Sequence, residues 1–180
     1  DHEGPSKILA FNKVTGEPLW ERDRDETTSW STPVAVQVDG AWQLIVSAGN
    51  RIRAYDAVSG DEIWACGGMT SNVIPTPVLG HGKVYCASGF FGFAMKAITL
   101  GRKGELTDTD AVAWSLDQGT PYVPTPLLYG NRLYIIEDIN PFLSCVDAQT
   151  GSMIYARERL AGFRQIFASP VGAGGRIYLC

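Results

Sequence analysis

The chain has 180 residues, a formal net charge of −4, 45% hydrophobic and 19% charged residues, twenty glycines and ten prolines. This balance excludes a disordered chain, and the scattered, acid-balanced positive charge excludes nucleic acid as a main partner. No stretch holds a helical period free of Gly or Pro for about three turns, and no apolar run approaches the roughly 18 residues of a transmembrane helix, so short strands and tight turns remain.

The first element, Ile8-Leu9-Ala10-Phe11, runs into the turn Asn12-x-x-Thr15-Gly16 and then an outer strand bearing Trp20. The same arrangement returns as Asp56-x-x-Ser59-Gly60 with Trp64, and as Asp147-x-x-Thr150-Gly151 with Tyr155. Glycine supplies the positive φ of such a turn without a Cβ penalty, while the Asn or Asp and the hydroxyl residue bond the turn's own backbone. The aromatic four residues beyond the glycine is placed to pack against a neighbouring unit. Trp114 ends another unit in the same way, after a turn enlarged to Gly101–Asp110. Within that enlargement, Asp108-Thr109-Asp110 reads as a polar hairpin tip, since a dedicated calcium loop has a different spacing.

A second marker keeps the same beat. Thr32-Pro33, Thr76-Pro77, Thr125-Pro126 and Ser169-Pro170 place prolines 44, 49 and 44 residues apart. Each opens a hairpin by turn chemistry and alternation, as in Leu127-Leu128, Tyr129-Gly130-Asn131-Arg132 and Leu133-Tyr134-Ile135. A period in the forties built from four short strands is the signature of a β-propeller. The units are a half blade over 1–20, blades over 31–64, 75–114 and 124–155, and a half blade over 168–180. The chain is therefore expected to be all-β, a single propeller segment of four-stranded antiparallel blades with about four repeat units. Either the two half blades close a four-bladed ring, or the segment is part of a larger ring of about seven or eight blades. The second is the reading adopted, because a lone apolar half blade would keep an unpaired edge.

With Ala10-x-Asn12-x-x-Thr15-Gly16-x-x-x-Trp20 and Ala54-x-Asp56-x-x-Ser59-Gly60-x-x-x-Trp64 in phase, the whole chain resembles the tryptophan-docking repeats of the PQQ-like β-propeller superfamily. The Cys66-Gly67-Gly68-Met69 loop and the Thr120–Pro126 segment look most like uncharacterised exported bacterial members. That resemblance implies an extracytoplasmic protein, periplasmic or at the cell surface. The superfamily includes PQQ- and calcium-dependent alcohol and sugar dehydrogenases, and also cofactor-free proteins such as the propeller lipoprotein of the outer-membrane β-barrel assembly machinery. The dehydrogenases hold PQQ with adjacent cysteines, whereas Cys66, Cys86, Cys145 and Cys180 are far apart. No Cys-x-x-Cys-His haem motif, nucleophile elbow, zincin motif or phosphate loop is present.

No cofactor is expected in this segment, and no metal. Cys86 and Cys145 fall in strand runs, where a free thiol acts as a small hydrophobe, and Cys66 reads as a loop residue. A disulfide suits an oxidising compartment, but spacing fixes no connectivity. His81 sits in a Gly-His-Gly turn and reads as solvated.

Function is expected on the face holding the loops between second and third strands and between blades: 1–6, 21–32, 47–52, 65–76, 88–95, 115–125, 137–143 and 156–169. Exposed aromatics, amides and charges on loops held by a rigid scaffold are the usual material of a binding surface. The candidate residues there are His2, Glu3, Trp30, Asn50, Asn72, Phe91, Tyr122, Asp138, Asn140 and Arg164. The reading is a non-catalytic scaffold that binds a protein or peptide, with carbohydrate second. The rival is a PQQ- and calcium-dependent dehydrogenase domain. A third reading is an enzyme using Asp1-His2-Glu3 with Asp138.

Overall fold

The computed structural model describes every residue except His2 and Asp138. Among the described residues, seventeen strands form five sheets. β1 (Ser6–Phe11) and β2 (Pro18–Arg24) make a two-stranded sheet. β3 (Val34–Val38), β4 (Ala41–Val46), β5 (Arg51–Asp56) and β6 (Glu62–Gly67) form the first full antiparallel blade. β7 (Val78–Gly80), β8 (Lys83–Ser88), β9 (Ala94–Thr99) and β11 (Val112–Leu116) form the second. β12 (Leu127–Tyr129), β13 (Arg132–Glu137), β14 (Phe142–Asp147) and β15 (Met153–Arg159) form the third, and β16 (Val171–Ala173) pairs β17 (Arg176–Tyr178). The remaining strand, β10 (Gly104–Glu105), belongs to the enlarged turn. The fold is a partial β-propeller.

The turn motif does the local work its residue types suggest. The side-chain oxygen of Asn12 accepts the N–H of Val14 and Thr15 at 2.8 and 3.2 Å, and the Asp56 carboxylate accepts those of Val58 and Ser59 at 2.8 Å each. Asp147 does the same for Gln149 and Thr150 at 2.9 Å. These backbone donors hold the Asp56 and Asp147 carboxyls below the usual range, through Ser59 and Thr150 first. Gly16, Gly60 and Gly151 all have φ between +72° and +76°.

Between blades, the outer-strand tryptophans lock onto the next turn. Trp20 Nε1 donates to Ala57 O at 3.2 Å and its ring lies where a Gly60 Cβ would stand, 2.6 Å from it. Trp114 Nε1 donates to Ala148 O at 3.0 Å over Gly151, and Tyr85 OH donates to the same carbonyl at 3.0 Å. The Ser/Thr-Pro marker is also an inter-blade device. Thr76 N–H donates to Thr125 Oγ1 and Thr125 N–H to Ser169 Oγ, both at 3.0 Å, while Ser31 Oγ donates to Pro75 O at 3.0 Å. The proline supplies no N–H, so the preceding residue's N–H and hydroxyl make the bond that staples successive blades.

Asp108, Thr109 and Asp110 are exposed, and the rest of the enlarged turn does more than form a polar tip. Gly104 and Glu105 add to β6 as a fifth, parallel strand, and Leu106 is buried beneath it with Ala111. Thr107 Oγ1 accepts Gly67 N–H at 2.8 Å, and Leu106 N–H donates to Ala65 O at 2.8 Å. The insertion thus covers the edge of the preceding blade, while its charged side chains stay at the surface, Asp110 paired with Arg102 at 3.1 Å. Cys66, expected in a loop, is the penultimate residue of β6 and wholly buried, because β6 runs past Trp64 and Cys66 pairs with Ile52 of β5.

The same insertion costs Trp64 its bond. Leu100 stands where Ala57 and Ala148 stand in the other turns, yet Trp64 Nε1 is buried with no hydrogen-bond partner among the described residues. An unpaired buried donor costs about 1–3 kcal/mol. Trp64→Phe is therefore expected to destabilise the protein by about 1–2 kcal/mol less than Trp114→Phe, as measured by urea unfolding of both variants. Equal losses would show that the indole N–H of Trp64 is satisfied in solution.

Candidate functional site

The short hairpin turns share one face, and the longer loops share the other. On the loop face, three segments from adjacent blades converge on Ser88, at the end of β8. Its Oγ accepts Thr70 N–H at 3.1 Å and Thr70 Oγ1–H at 2.8 Å, and its carbonyl accepts Thr120 Oγ1–H at 2.6 Å. Gly89 follows because nothing larger fits: an added Cβ would lie 2.5 Å from Thr120 O. A fourth segment joins through the bridge between Ser29 and Val73 and the Trp30 N–H bond to Val73 O at 2.8 Å.

A buried carboxylate fixes the fifth. Glu26 accepts the N–H of Asn50 at 2.9 Å and of Arg51 at 3.1 Å, and pairs with Arg53 Nη1 at 2.6 Å. Arg53 also pairs with Asp25 and, at 3.0 Å, with Glu62. Nearby, Asp1 grips Arg24 in a two-point pair at 2.8 and 3.0 Å and accepts Ser29 Oγ–H at 2.7 Å. Both side chains of that pair are nearly fully buried.

These ties shape a cavity of roughly 430 Å³ lined by Thr27, Thr28, Gly49, Asn50, Met69, Thr70, Ser71, Asn72 and Phe91. Its lining carries hydroxyls, two amides, a thioether and one aromatic ring, with no charged side chain. Phe91 is 83% exposed and holds φ at +45°, and Asn72 holds φ at +56°. A left-handed phenylalanine costs on the order of 1 kcal/mol, a local strain typical of binding loops. Phe90 joins the rim to the next blade, edge-on to Phe91 at 4.3 Å and stacked on Tyr122 at 4.6 Å.

Asn50, Asn72 and Phe91 therefore share one cavity, Tyr122 reaches it through Phe90, and Trp30, half exposed, lies on the segment bridged to Val73. Asn140 lines a separate recess of roughly 100 Å³ with Glu137, Thr120 and Phe93. Glu3 and Arg164 are exposed and line neither. His2 and Asp138 lie outside the described residues, and with them the third reading. Sequence reasoning passed over Thr27, Thr28, Thr70 and Ser71 as ordinary loop formers, and over Glu26 and Ser88, whose importance lies in long-range partners. His81 Nε2 lies 3.0 Å from Gly130 O, on the opposite face.

Burial pushes the Cys86 thiol up to about 12 and raises Cys66 and Cys145 as well, so these thiols stay protonated and are poor nucleophiles. All four cysteines are free. Calcium takes about six to eight oxygen ligands. The described residues contain no group of three or more His, Cys, Asp or Glu side chains arranged to hold a metal ion. No helix among them is long and apolar enough to cross a membrane.

The family model PQQ_2, described as outer membrane protein assembly factor BamB, matches residues 5–180. Among solved structures, BamB from Moraxella catarrhalis is similar with a TM-score of 0.62 at 15% identity, over 96% of this chain and 48% of that one. The computationally designed Ika8 protein gives a TM-score of 0.62 at 12% identity, over 93% of this chain and 47% of its own. The chain thus spans about half the length of these structures. No curated protein sequence matches it.

Proposed function

Because the chain belongs to the PQQ_2 family of outer membrane protein assembly factor BamB, we propose that it is a non-catalytic propeller scaffold that binds a protein or peptide through its loop face. It works outside the cytoplasm and without a cofactor. One observation carries the reading: five loops tied to one another by hydrogen bonds hold an exposed, strained Phe91 beside the amides of Asn50 and Asn72. A rigid aromatic anchor next to fixed amides suits an extended peptide, whose side chain occupies the apolar rim while its backbone bonds the amides. Ordering such a rim in advance lowers the entropy lost on binding.

The test is selection of peptides by display against the protein, followed by titration of variants. Phe91→Ala and Asn72→Ala are each expected to weaken the selected peptides by roughly tenfold or more. Val58→Ser, on the exposed opposite turn, is expected to leave them unchanged. Peptides indifferent to Phe91 and Asn72 would overturn the assignment of the face.

A further inference from the structure

Two clefts of the same construction lie between successive units, and their cations differ in one respect. In the first, of roughly 490 Å³, Arg53 of β5 meets the segment that follows β2. It pairs there with Asp25 and, at 2.6 Å, with Glu26, and at 3.0 Å with Glu62 of β6. Lys96 of β9 holds the corresponding place in the second cleft, of roughly 330 Å³, between the first and second complete blades. Each cation immediately precedes the alanine that pairs with the outer-strand tryptophan of its blade, Ala54 with Trp64 and Ala97 with Trp114.

None of the three carboxylates around Arg53 has a counterpart around Lys96. Asp25 and Glu26 are the fifth and sixth residues beyond Trp20, whereas the fifth and sixth beyond Trp64 are Met69 and Thr70. Glu62 stands two residues before Trp64, and Val112 two before Trp114. Among the described residues Lys96 accordingly forms no ion pair and no hydrogen bond. Asp117 lines the same cleft, but it is exposed and makes no ion pair with Lys96. The ammonium rests against Gly68, where an added Cβ would stand 3.0 Å from Nζ. A half-buried cation in that position is a ready partner for an incoming carboxylate, as its counterpart Arg53 is for Glu26.

The second cleft also adjoins the cavity around Phe91. Gly68 lines the cleft and Met69 the cavity; Phe93 lines the cleft and Phe91 the cavity. Two separate segments thus pass directly from one recess to the other, and Phe93, 45% exposed, continues the apolar rim toward Lys96.

Resting on the peptide-binding reading above, we propose that the ligand carries an acidic residue, Asp or Glu, whose carboxylate pairs with Lys96 while a neighbouring apolar residue occupies the Phe91 rim. The ligand supplies in trans what Asp25, Glu26 and Glu62 supply in cis to Arg53. The cavity itself has no charged side chain, so Lys96 gives the loop face a charge preference that the cavity lacks.

The experiment uses synthetic copies of the display-selected peptides, acetylated and amidated at their ends so that side chains supply every carboxylate. The selected sequences are expected to share an Asp or Glu near the apolar residue, and its replacement by the corresponding amide should weaken binding roughly tenfold. Lys96→Gln should cause the same loss and Lys96→Arg should not. The two losses should not add, because each removes the same contact, and Lys96→Gln should leave binding of the amide peptide unchanged. A merely structural lysine would weaken both peptides alike. Ser115→Glu, directly opposite Lys96 on β11, should weaken the acidic peptide by placing a carboxylate there from within the chain. Peptides that need Phe91 but carry no acidic residue, or losses that add, overturn the assignment of Lys96 and leave the Phe91 reading in place. Acidic peptides that need Lys96 but not Phe91 support the carboxylate site and overturn that reading, and failure to select any peptide overturns both.

Discussion

Replacing Gly151 with alanine is expected to lower the unfolding free energy by about 2–5 kcal/mol. Two costs combine. The residue holds φ at +72°, where a Cβ costs about 1–2 kcal/mol, and the new methyl would stand 2.7 Å from Trp114 Cδ2. The indole cannot retreat, because Nε1 is bonded to Ala148 O and the ring is packed 5.8 Å from Tyr85. Overpacking of that kind costs about 1–3 kcal/mol. Gly40→Ala is the control, since Gly40 also has positive φ, +83°, but no atom within 4 Å of its Cβ position. Urea unfolding of both variants separates the backbone cost from the docking cost. Equal losses would show that the tryptophan lock adds nothing to stability.

Removing the Glu26 carboxylate is expected to cost about 3–5 kcal/mol. Glu26→Ala removes the buried partner of the Arg53 guanidinium, 7% exposed, leaving it only the solvent-facing Asp25 and Glu62, and leaves the N–H groups of Asn50 and Arg51 without their acceptor. The penalty comes from the charge left behind more than from the pair itself. A double variant, Glu26→Met with Arg53→Met, should therefore be less destabilised than Glu26→Ala alone, which a denaturant series on the three proteins measures. Amide exchange at Asn50 and Arg51 should accelerate in Glu26→Ala, loosening the loop that brings Asn50 to the cavity. A double variant worse than the single one would show that the cluster stabilises the fold in its own right.

Much of this architecture is legible in the residues because the repeat writes the same local physics several times. Asn12, Asp56 and Asp147 bond their own turns, so each motif announces itself within five residues. The Ser/Thr-Pro marker is equally readable as a beat, but its role as an inter-blade staple emerges only when Thr76 and Thr125 meet across 49 positions. What stays hidden depends on partners far away in sequence. Nothing in Gly104-Glu105 announces a parallel strand, because its acceptor is the edge of the preceding blade, and the insertion that carries it leaves Trp64 without a carbonyl.

The loop face shows the same division. The exposed aromatics and amides could be named, yet which of them meet depends on how the blades set the loops. Asn50, Asn72 and Phe91 come from three loops and converge only because Glu26, Ser88 and Val73 hold those loops together. Threonine and serine are as common in solvated turns as in cavities, so Thr27, Thr28, Thr70 and Ser71 carry no distinguishing signal.

The most direct test of the central claim is hydrogen–deuterium exchange of the protein with and without a saturating display-selected peptide, read segment by segment. The account predicts new protection over residues 68–72 and 89–93, with none at the turns 12–16 and 56–60; protection confined to those turns would contradict it.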